Sequence, residues 1–145
     1  YFRYYLHLAM AKAGLGNQYL DMLGKWKENL EMGLTTWAEM DDINRARSDC
    51  HAWGSSPNIE LFRIVLGIDS DATGFSKVKI EPHLGYLKNV SGAIPHPNGK
   101  ISASYIQDAQ GKWKCSLLLP PTVTGVFIWK GKRYPLHSGN NDFLL

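Results

Sequence analysis

The sequence predicts an α+β protein whose helices come first and whose strands follow. Over residues 1–31 apolar side chains recur at helical spacing, and from residue 77 onward they alternate with polar ones, which is the period of a strand. Residues 69–74 between these parts read Asp-Ser-Asp-Ala-Thr-Gly, a polar and turn-forming stretch. We therefore place a boundary there and predict a helical domain over 1–68 and an antiparallel β-sandwich over 69–145.

Two helices are predicted before residue 32. The first, over residues 1–13, has an apolar stripe at helical spacing and places His7 on its polar face. The stripe consists of Phe2, Tyr5, Leu6, Ala9 and Ala13. Gly14 and Gly16 break this helix, and a second helix runs to about Glu31, so that the pair predicts an αα-hairpin.

Residues 32–47 predict a long irregular connection, because Gly33 ends the second helix and the following Thr, Asp and Asn residues favour turns. Long loops in compact proteins usually carry function or are disordered. The next helix ends at Gly67 and has two possible starts. Either Ser48 or Asp49 caps a long helix, or Ser56 caps a short one with Pro57 at its first position.

Short alternating strands separated by turns predict the sandwich. Asn98-Gly99 is a hairpin signal, and residues 108–111 form a further turn. The predicted strands are 77–81, 101–105, 113–119, 124–129 and 133–136. The alternation turns Trp113 inward, into the core.

Composition excludes several classes of function. The net charge is only +3 and the basic residues are scattered, so nucleic-acid binding is not predicted, and no apolar run could span a bilayer. Cys50 and Cys115 lie far apart without metal-ligand spacing, so we predict two buried thiols, no metal site and no cofactor.

The chain begins inside a helical pattern without Met or a leader. We interpret it as a soluble piece of a longer protein, with its compartment open.

The segment from Gly33 to Gly67 concentrates carboxylates, an imidazole and indoles. These residues are Glu39, Asp41, Asp42, Asp49, His51, Trp37 and Trp53. Such a set suits a sugar site, where aromatic faces stack on the pyranose and carboxylates transfer protons. The alternative is an acidic loop before a buried helix, with the tryptophans as packing residues.

Three motifs occur in order: T-T-W-x-E at 35–39, S-D-C-H-A-W-G-S-S-P-N-x-E-L-x-R-x-V-L-G-I at 48–68, and G-F-x-K-V-x-I-x-P-H-L-G at 74–85. Together they closely resemble the C-terminal end of bacterial α-L-rhamnosidases. Those enzymes are inverting glycoside hydrolases built on an (α/α)6 toroid. The resemblance implies that residues 1–68 are the terminal helices of a toroid and residues 69–145 the β-sandwich that braces it. It also favours the long form of the third helix, with Pro57 as a kink.

The resemblance also implies roles for single residues. Glu39, the last residue of T-T-W-A-E, matches the general base, with Asp41 and Asp42 as alternatives by type and proximity. His51 matches a position that hydrogen-bonds sugar hydroxyls, while Trp37 and Trp53 either stack on the sugar or pack. The general acid of the family lies upstream, so this chain alone is expected to be inactive.

The implied partners are a rhamnose-containing oligosaccharide or glycoside and the upstream part of the same catalytic domain. Helices that lack their toroid neighbours should expose an apolar face, so self-association of the chain is also expected. Two alternatives stay open: a non-catalytic structural or carbohydrate-binding module, and another six-hairpin glycosidase. The sequence does not predict the linkage or the aglycone.

Overall fold

A computed structural model describes the backbone of residues 1–145 and every side chain except that of Ile43. The chain divides into two compact units, Tyr1–Leu61 and Phe62–Leu145. Helices dominate the first unit and two four-stranded sheets make up most of the second, which confirms the predicted α+β class. The assignment of residues 1–68 to a toroid and 69–145 to a bracing sandwich remains a prediction.

The first unit begins with the predicted helical hairpin. Helix α1 spans Phe2–Met10 and continues as a π-helical turn over Ala11–Leu15. Gly14 has a φ of 80°, a left-handed conformation that only glycine adopts readily, and this confirms the predicted break. The second arm starts as a 3₁₀ helix over Gly16–Leu23 and becomes helix α2 over Gly24–Glu31.

Helix α3 spans Pro57–Glu60 and continues as a π-helical turn over Leu61–Val65, so the preferred long helix from about Ser48 is wrong. Pro57 occupies the first helical position, where its missing N–H has no intrahelical partner to lose. Farther inside a helix, the proline ring would clash with the carbonyl four residues earlier. A separate 3₁₀ turn, Ala52–Gly54, precedes α3, and extended backbone at His51 (φ −127°, ψ 129°) starts it.

The interior of the first unit contains a buried polar cluster. His7, which was predicted to lie on the polar face of α1, is buried and contacts Glu60, whose side chain is 0% exposed. The His7 Nδ1–H donates to both Glu60 carboxylate oxygens, at 3.0 and 3.1 Å. Tyr19 and Ser56 donate their hydroxyls to Glu60 Oε2 at 3.1 and 3.2 Å. This buried cluster therefore ties both arms of the hairpin to α3.

The predicted apolar stripe of α1 faces outward. All five residues of the stripe are exposed, and Phe2 reaches 78%. Helical spacing identified the stripe correctly, but spacing does not say what covers it.

The second unit is a sandwich of two four-stranded sheets. One sheet has the order β1-β2-β6-β7 and the other β3-β4-β5-β8. The strands are β1 Ile68–Ser70, β2 Lys77–Ile80, β3 Asn89–His96, β4 Gly99–Gln107, β5 Trp113–Leu119, β6 Thr124–Trp129, β7 Lys132–Leu136 and β8 Gly139–Leu144. All pairings are antiparallel except β2 with β6, which are parallel.

Most of the strand prediction is confirmed. The hairpin at Asn98-Gly99 joins β3 to β4, with His96 opposite Gly99, and Trp113 is buried. Strands β1, β3 and β8 were not predicted as such, because turn-forming residues such as Gly92, Pro95 and Asn141 interrupt their alternation.

The two sheets share one core. Tyr105 of β4 comes from one sheet, and Phe127 and Trp129 of β6 come from the other. Cys115 belongs to this core, and burial raises the pKa of its thiol to about 11. Cys50 is exposed, so the prediction of two buried thiols is wrong for Cys50. Across the described residues, every helix is too short or too polar to pass through a bilayer.

Candidate functional site

The T-T-W-A-E and S-D-C-H-A-W-G motifs lie side by side in the first unit because their backbones are joined. The Glu39 N–H donates to the Ser48 carbonyl at 2.9 Å, and the His51 N–H donates to the Trp37 carbonyl at 2.7 Å. The Thr36 hydroxyl donates to the Asp49 carbonyl. Residues 40–47 therefore form a loop that is closed at its base, and the predicted site residues lie around that base.

Gly54 allows the two motifs to approach closely. A Cβ atom at this position would collide with the Ala38 carbonyl oxygen and come within 3.1 Å of the Trp37 Cβ. The Gly54 carbonyl accepts a hydrogen bond from the Trp26 Nε1–H at 2.7 Å, which connects this turn to α2. Any side chain at residue 54 would therefore push the 3₁₀ turn away from the backbone of residues 37–39.

Glu39 is an almost enclosed carboxylate paired with an exposed guanidinium. Its side chain is 6% exposed, whereas that of Arg47 is 81% exposed. Arg47 Nε donates to Glu39 Oε2 at 3.3 Å and Arg47 Nη2 donates to Glu39 Oε1. The Arg47 hydrogen bond holds the pKa of the Glu39 carboxyl below its usual range, although burial opposes that effect. Glu39 is thus ionised and able to accept a proton.

His51 has one tautomer dictated by its own backbone. Its Nδ1 accepts the Trp53 N–H at 3.2 Å and so caps the 3₁₀ turn. In the neutral ring the proton therefore lies on Nε2, which makes that nitrogen a donor. The imidazole stands edge-on to the Trp53 ring, with the ring centres 4.8 Å apart.

Trp53 and Glu39 line the same small cavity. The cavity has a volume of about 30 Å³, and Tyr1, Arg3 and Trp26 are among its other lining residues. That volume admits a water molecule but not a pyranose ring. Trp53 is 50% exposed, and its indole packs against Tyr1 with the ring centres 5.3 Å apart. A sugar would therefore have to lie at the mouth of the cavity, where the indole is accessible.

Trp37 lines a different space. It borders an apolar cleft of about 160 Å³ together with Trp26, Leu30, Leu34 and Pro57, among others. The structure therefore brings Glu39, His51 and Trp53 together, and it directs the Trp37 side chain into a separate cleft.

The alternative carboxylates have partners of their own. Asp41 Oδ2 accepts from Arg3 Nη2 at 3.0 Å, and Asp42 Oδ1 accepts the Asn44 N–H at 3.0 Å. Asp41 borders the Glu39 cavity, but its side chain is 65% exposed. Asp42 shapes the loop as a turn residue.

Sequence reasoning missed Arg47, Arg3 and Trp26 at this site. Arg3 lies over the Trp26 ring, 5.9 Å from its centre. The available signal for Arg47 was a basic residue in an acidic loop, eight positions after Glu39. No local pattern marked the other two, because both come from the helical hairpin. Among the described side chains, no group of three or more His, Cys, Asp or Glu residues could hold a metal ion.

Comparison with solved structures finds a consistent set of relatives. The chain matches the native α-L-rhamnosidase from Aspergillus terreus with a TM-score of 0.87 and 19% identity, over 98% of this chain and 18% of that one. It matches the GH78 family rhamnosidase from Bacillus sp. GL1 with a TM-score of 0.76 and 26% identity, over 86% of this chain and 14% of that one. The α-L-rhamnosidase from Streptomyces avermitilis, crystallised with L-rhamnose, gives a TM-score of 0.72 and 18% identity, over 83% and 14% of the two chains.

No protein-family model matches the chain, and no curated protein does. The resemblance to α-L-rhamnosidases is confirmed at the level of fold, and the structural likeness supports a relationship to glycoside hydrolases. The chain spans less than a fifth of the length of each of these three enzymes.

Proposed function

We propose that this chain, which has a fold consistent with the C-terminal region of α-L-rhamnosidases, carries the general base of an enzyme that cleaves terminal α-L-rhamnosides with inversion. The observation that supports this most directly is the state of Glu39. It is an ionised, nearly enclosed carboxylate beside a cavity of water size, and it belongs to the motif that matches the base of that family. An inverting base must accept a proton from a water molecule, and both features suit that task.

The proposed reaction assigns one step to each residue near the cavity. Glu39 removes a proton from a water molecule as that water attacks the anomeric carbon, which then has oxocarbenium character. The Nε2–H of His51 donates to a sugar hydroxyl, and the exposed face of Trp53 stacks on the ring. Trp37 remains a predicted sugar contact, although its place in the separate apolar cleft favours packing.

The general acid is expected from a part of the enzyme outside these residues. It would protonate the leaving oxygen, with the two carboxyl groups about 6.5–9.5 Å apart so that water fits between them. We therefore expect the isolated chain to be inactive and the full-length enzyme to be active.

The test is Glu39→Gln in the full-length enzyme, assayed with an aryl α-L-rhamnoside. The amide keeps the shape of the side chain but cannot accept the proton, so water attacks unassisted. We expect the rate to fall about 10²–10⁴-fold, with substrate binding changed much less. Azide needs no deprotonation, so it should restore turnover in this variant and give a glycosyl azide of inverted configuration.

Asp41→Asn and Asp42→Asn are the matched controls, since both are carboxylates of the same loop. Near-full activity of Glu39→Gln with one inactive aspartate variant would transfer the role to that aspartate. If all three variants stay active, the loop is not catalytic, and a structural or carbohydrate-binding role for the chain becomes the better explanation.

A further inference from the structure

The two partners of the Glu39–Arg47 ion pair differ strongly in solvent exposure. Its carboxylate is almost enclosed, and the guanidinium approaches it from the solvent side. Nε and Nη2 of Arg47 meet different carboxylate oxygens. A planar guanidinium that contacts both oxygens restrains rotation of the carboxylate, because turning it would break at least one of the two bonds.

We propose that Arg47 is a positioning residue: its two contacts hold the Glu39 carboxylate in one orientation and leave the other lone pairs of that carboxylate available to a water molecule. The inference rests on the proposed function of Glu39 as the base. A carboxylate has about four lone-pair sites and the two Arg47 bonds use two of them. The remaining sites can accept a hydrogen bond from water on the cavity side.

Partial loss of hydration at Glu39 creates the need for such a residue. A carboxylate that loses its hydration favours the protonated form, and a protonated Glu39 could not act as a base. The Arg47 hydrogen bond is the largest influence on the Glu39 pKa and lowers it, which offsets the effect of burial.

The other cationic side chains that line the Glu39 cavity form ion pairs with other residues. Arg3 pairs with Asp41 at 3.0 Å, and Lys25 pairs with Glu28 at 2.7 Å. Tyr1 also lines the cavity, and the charge of a protonated His51 would lower the Glu39 pKa as well, but less than Arg47 does. Among the described side chains, Arg47 is the cation in ion-pair contact with Glu39.

The experiment compares Arg47→Ala, Arg47→Lys and Arg45→Ala in the full-length enzyme. Arg45 is an exposed arginine of the same loop, so its removal changes the loop charge equally without touching Glu39. The measurement is kcat/KM for an aryl α-L-rhamnoside as a function of pH. A raised Glu39 pKa protonates the base at a higher pH, so the acid limb of the profile should move upward in Arg47→Ala.

At the acid end of the profile we expect Arg47→Ala to lose about two- to fivefold in kcat/KM, as for removal of an exposed ion pair. Arg47→Lys keeps the charge but not the two-point contact with the carboxylate, so it should recover the position of the acid limb but only part of the loss in kcat/KM. Arg45→Ala should follow the unmodified enzyme.

Two results would overturn the inference. One is an Arg47→Ala profile that overlays the unmodified one, whether or not thermal stability falls, since that outcome assigns Arg47 a structural role at most. The other is an equal shift in Arg45→Ala, which would assign the effect to general loop charge. Either result beside an inactive Glu39→Gln removes only the role of Arg47, whereas an active Glu39→Gln removes the proposed function as well.

Discussion

The two units differ in how much of their apolar surface is buried. In Phe62–Leu145 a continuous core fills the space between the two sheets, and the exposed large apolar residues are Tyr86, Ile106 and Leu144. Among the described side chains of Tyr1–Leu61, the buried apolar residues are Tyr19, Leu20 and Ala38. The exposed ones there are Tyr1, Phe2, Tyr5, Leu6, Leu15, Leu30, Met32, Met40, Trp53, Ile59 and Leu61.

The two interiors also differ in chemistry. The second unit buries Tyr105 among aromatic rings and satisfies its hydroxyl with one bond to the Leu66 carbonyl at 2.9 Å. The first unit is held instead by the Glu60 cluster and by the backbone bonds around the loop. Burial of apolar area is the dominant favourable term in folding. The second unit therefore has an apolar core of its own, while the first leaves much of its apolar surface in water.

The largest expected effect is a difference in the free energy of unfolding between Phe127→Ala and Phe2→Ala. Phe127→Ala removes a side chain that is 0% exposed at the centre of the sandwich, and it should cost about 3–5 kcal/mol of the free energy of unfolding. Phe2→Ala removes one that is 78% exposed and should change that free energy by less than about 0.5 kcal/mol. Denaturant unfolding at low protein concentration measures both. If Phe2→Ala lowers the free energy of unfolding about as much as Phe127→Ala does, the proposed difference in apolar burial between the units is wrong.

The next test concerns the polar interior of the first unit. Glu60→Ala leaves the donors of His7, Tyr19 and Ser56 without their acceptor, at a cost of about 1–3 kcal/mol for each buried donor that stays unsatisfied. Hydrogen exchange of the α1 amides should accelerate accordingly. Glu60→Gln is the matched variant, because it keeps one carbonyl oxygen and should accelerate exchange less. Unchanged α1 exchange in Glu60→Ala would mean that other contacts hold the hairpin.

The smallest effect on stability concerns the exposed stripe of α1. Replacing Phe2 and Leu6 with Ser removes apolar area that is already in water, so the free energy of unfolding should change by less than about 0.5 kcal/mol per site. Self-association of the isolated chain should nevertheless decrease, as measured by light scattering against concentration. Ile106→Ser, at an exposed position of the second unit, is the control. An unmodified chain that stays monomeric would contradict the expected association.

Local pattern was sufficient for much of the fold. Strands β2, β4 and β5 follow from alternation alone, because the pleat places successive side chains on opposite faces. The hairpin at Asn98-Gly99 and the break at Gly14 follow from backbone preferences that act within a few residues. Glu39, His51 and Trp53 were identified by motif, and their adjacency is consistent with that assignment.

Tertiary structure decided which partners those residues meet. His7 is buried because Glu60, 53 positions away in the chain, supplies an acceptor that no local pattern could indicate. The apolar stripe of α1 follows from helical spacing, but whether another surface covers it is not contained in the periodicity. Arg47 reaches Glu39 only because backbone bonds close the loop between them, so its influence on the candidate base depends on a fold that brings distant groups within hydrogen-bonding distance.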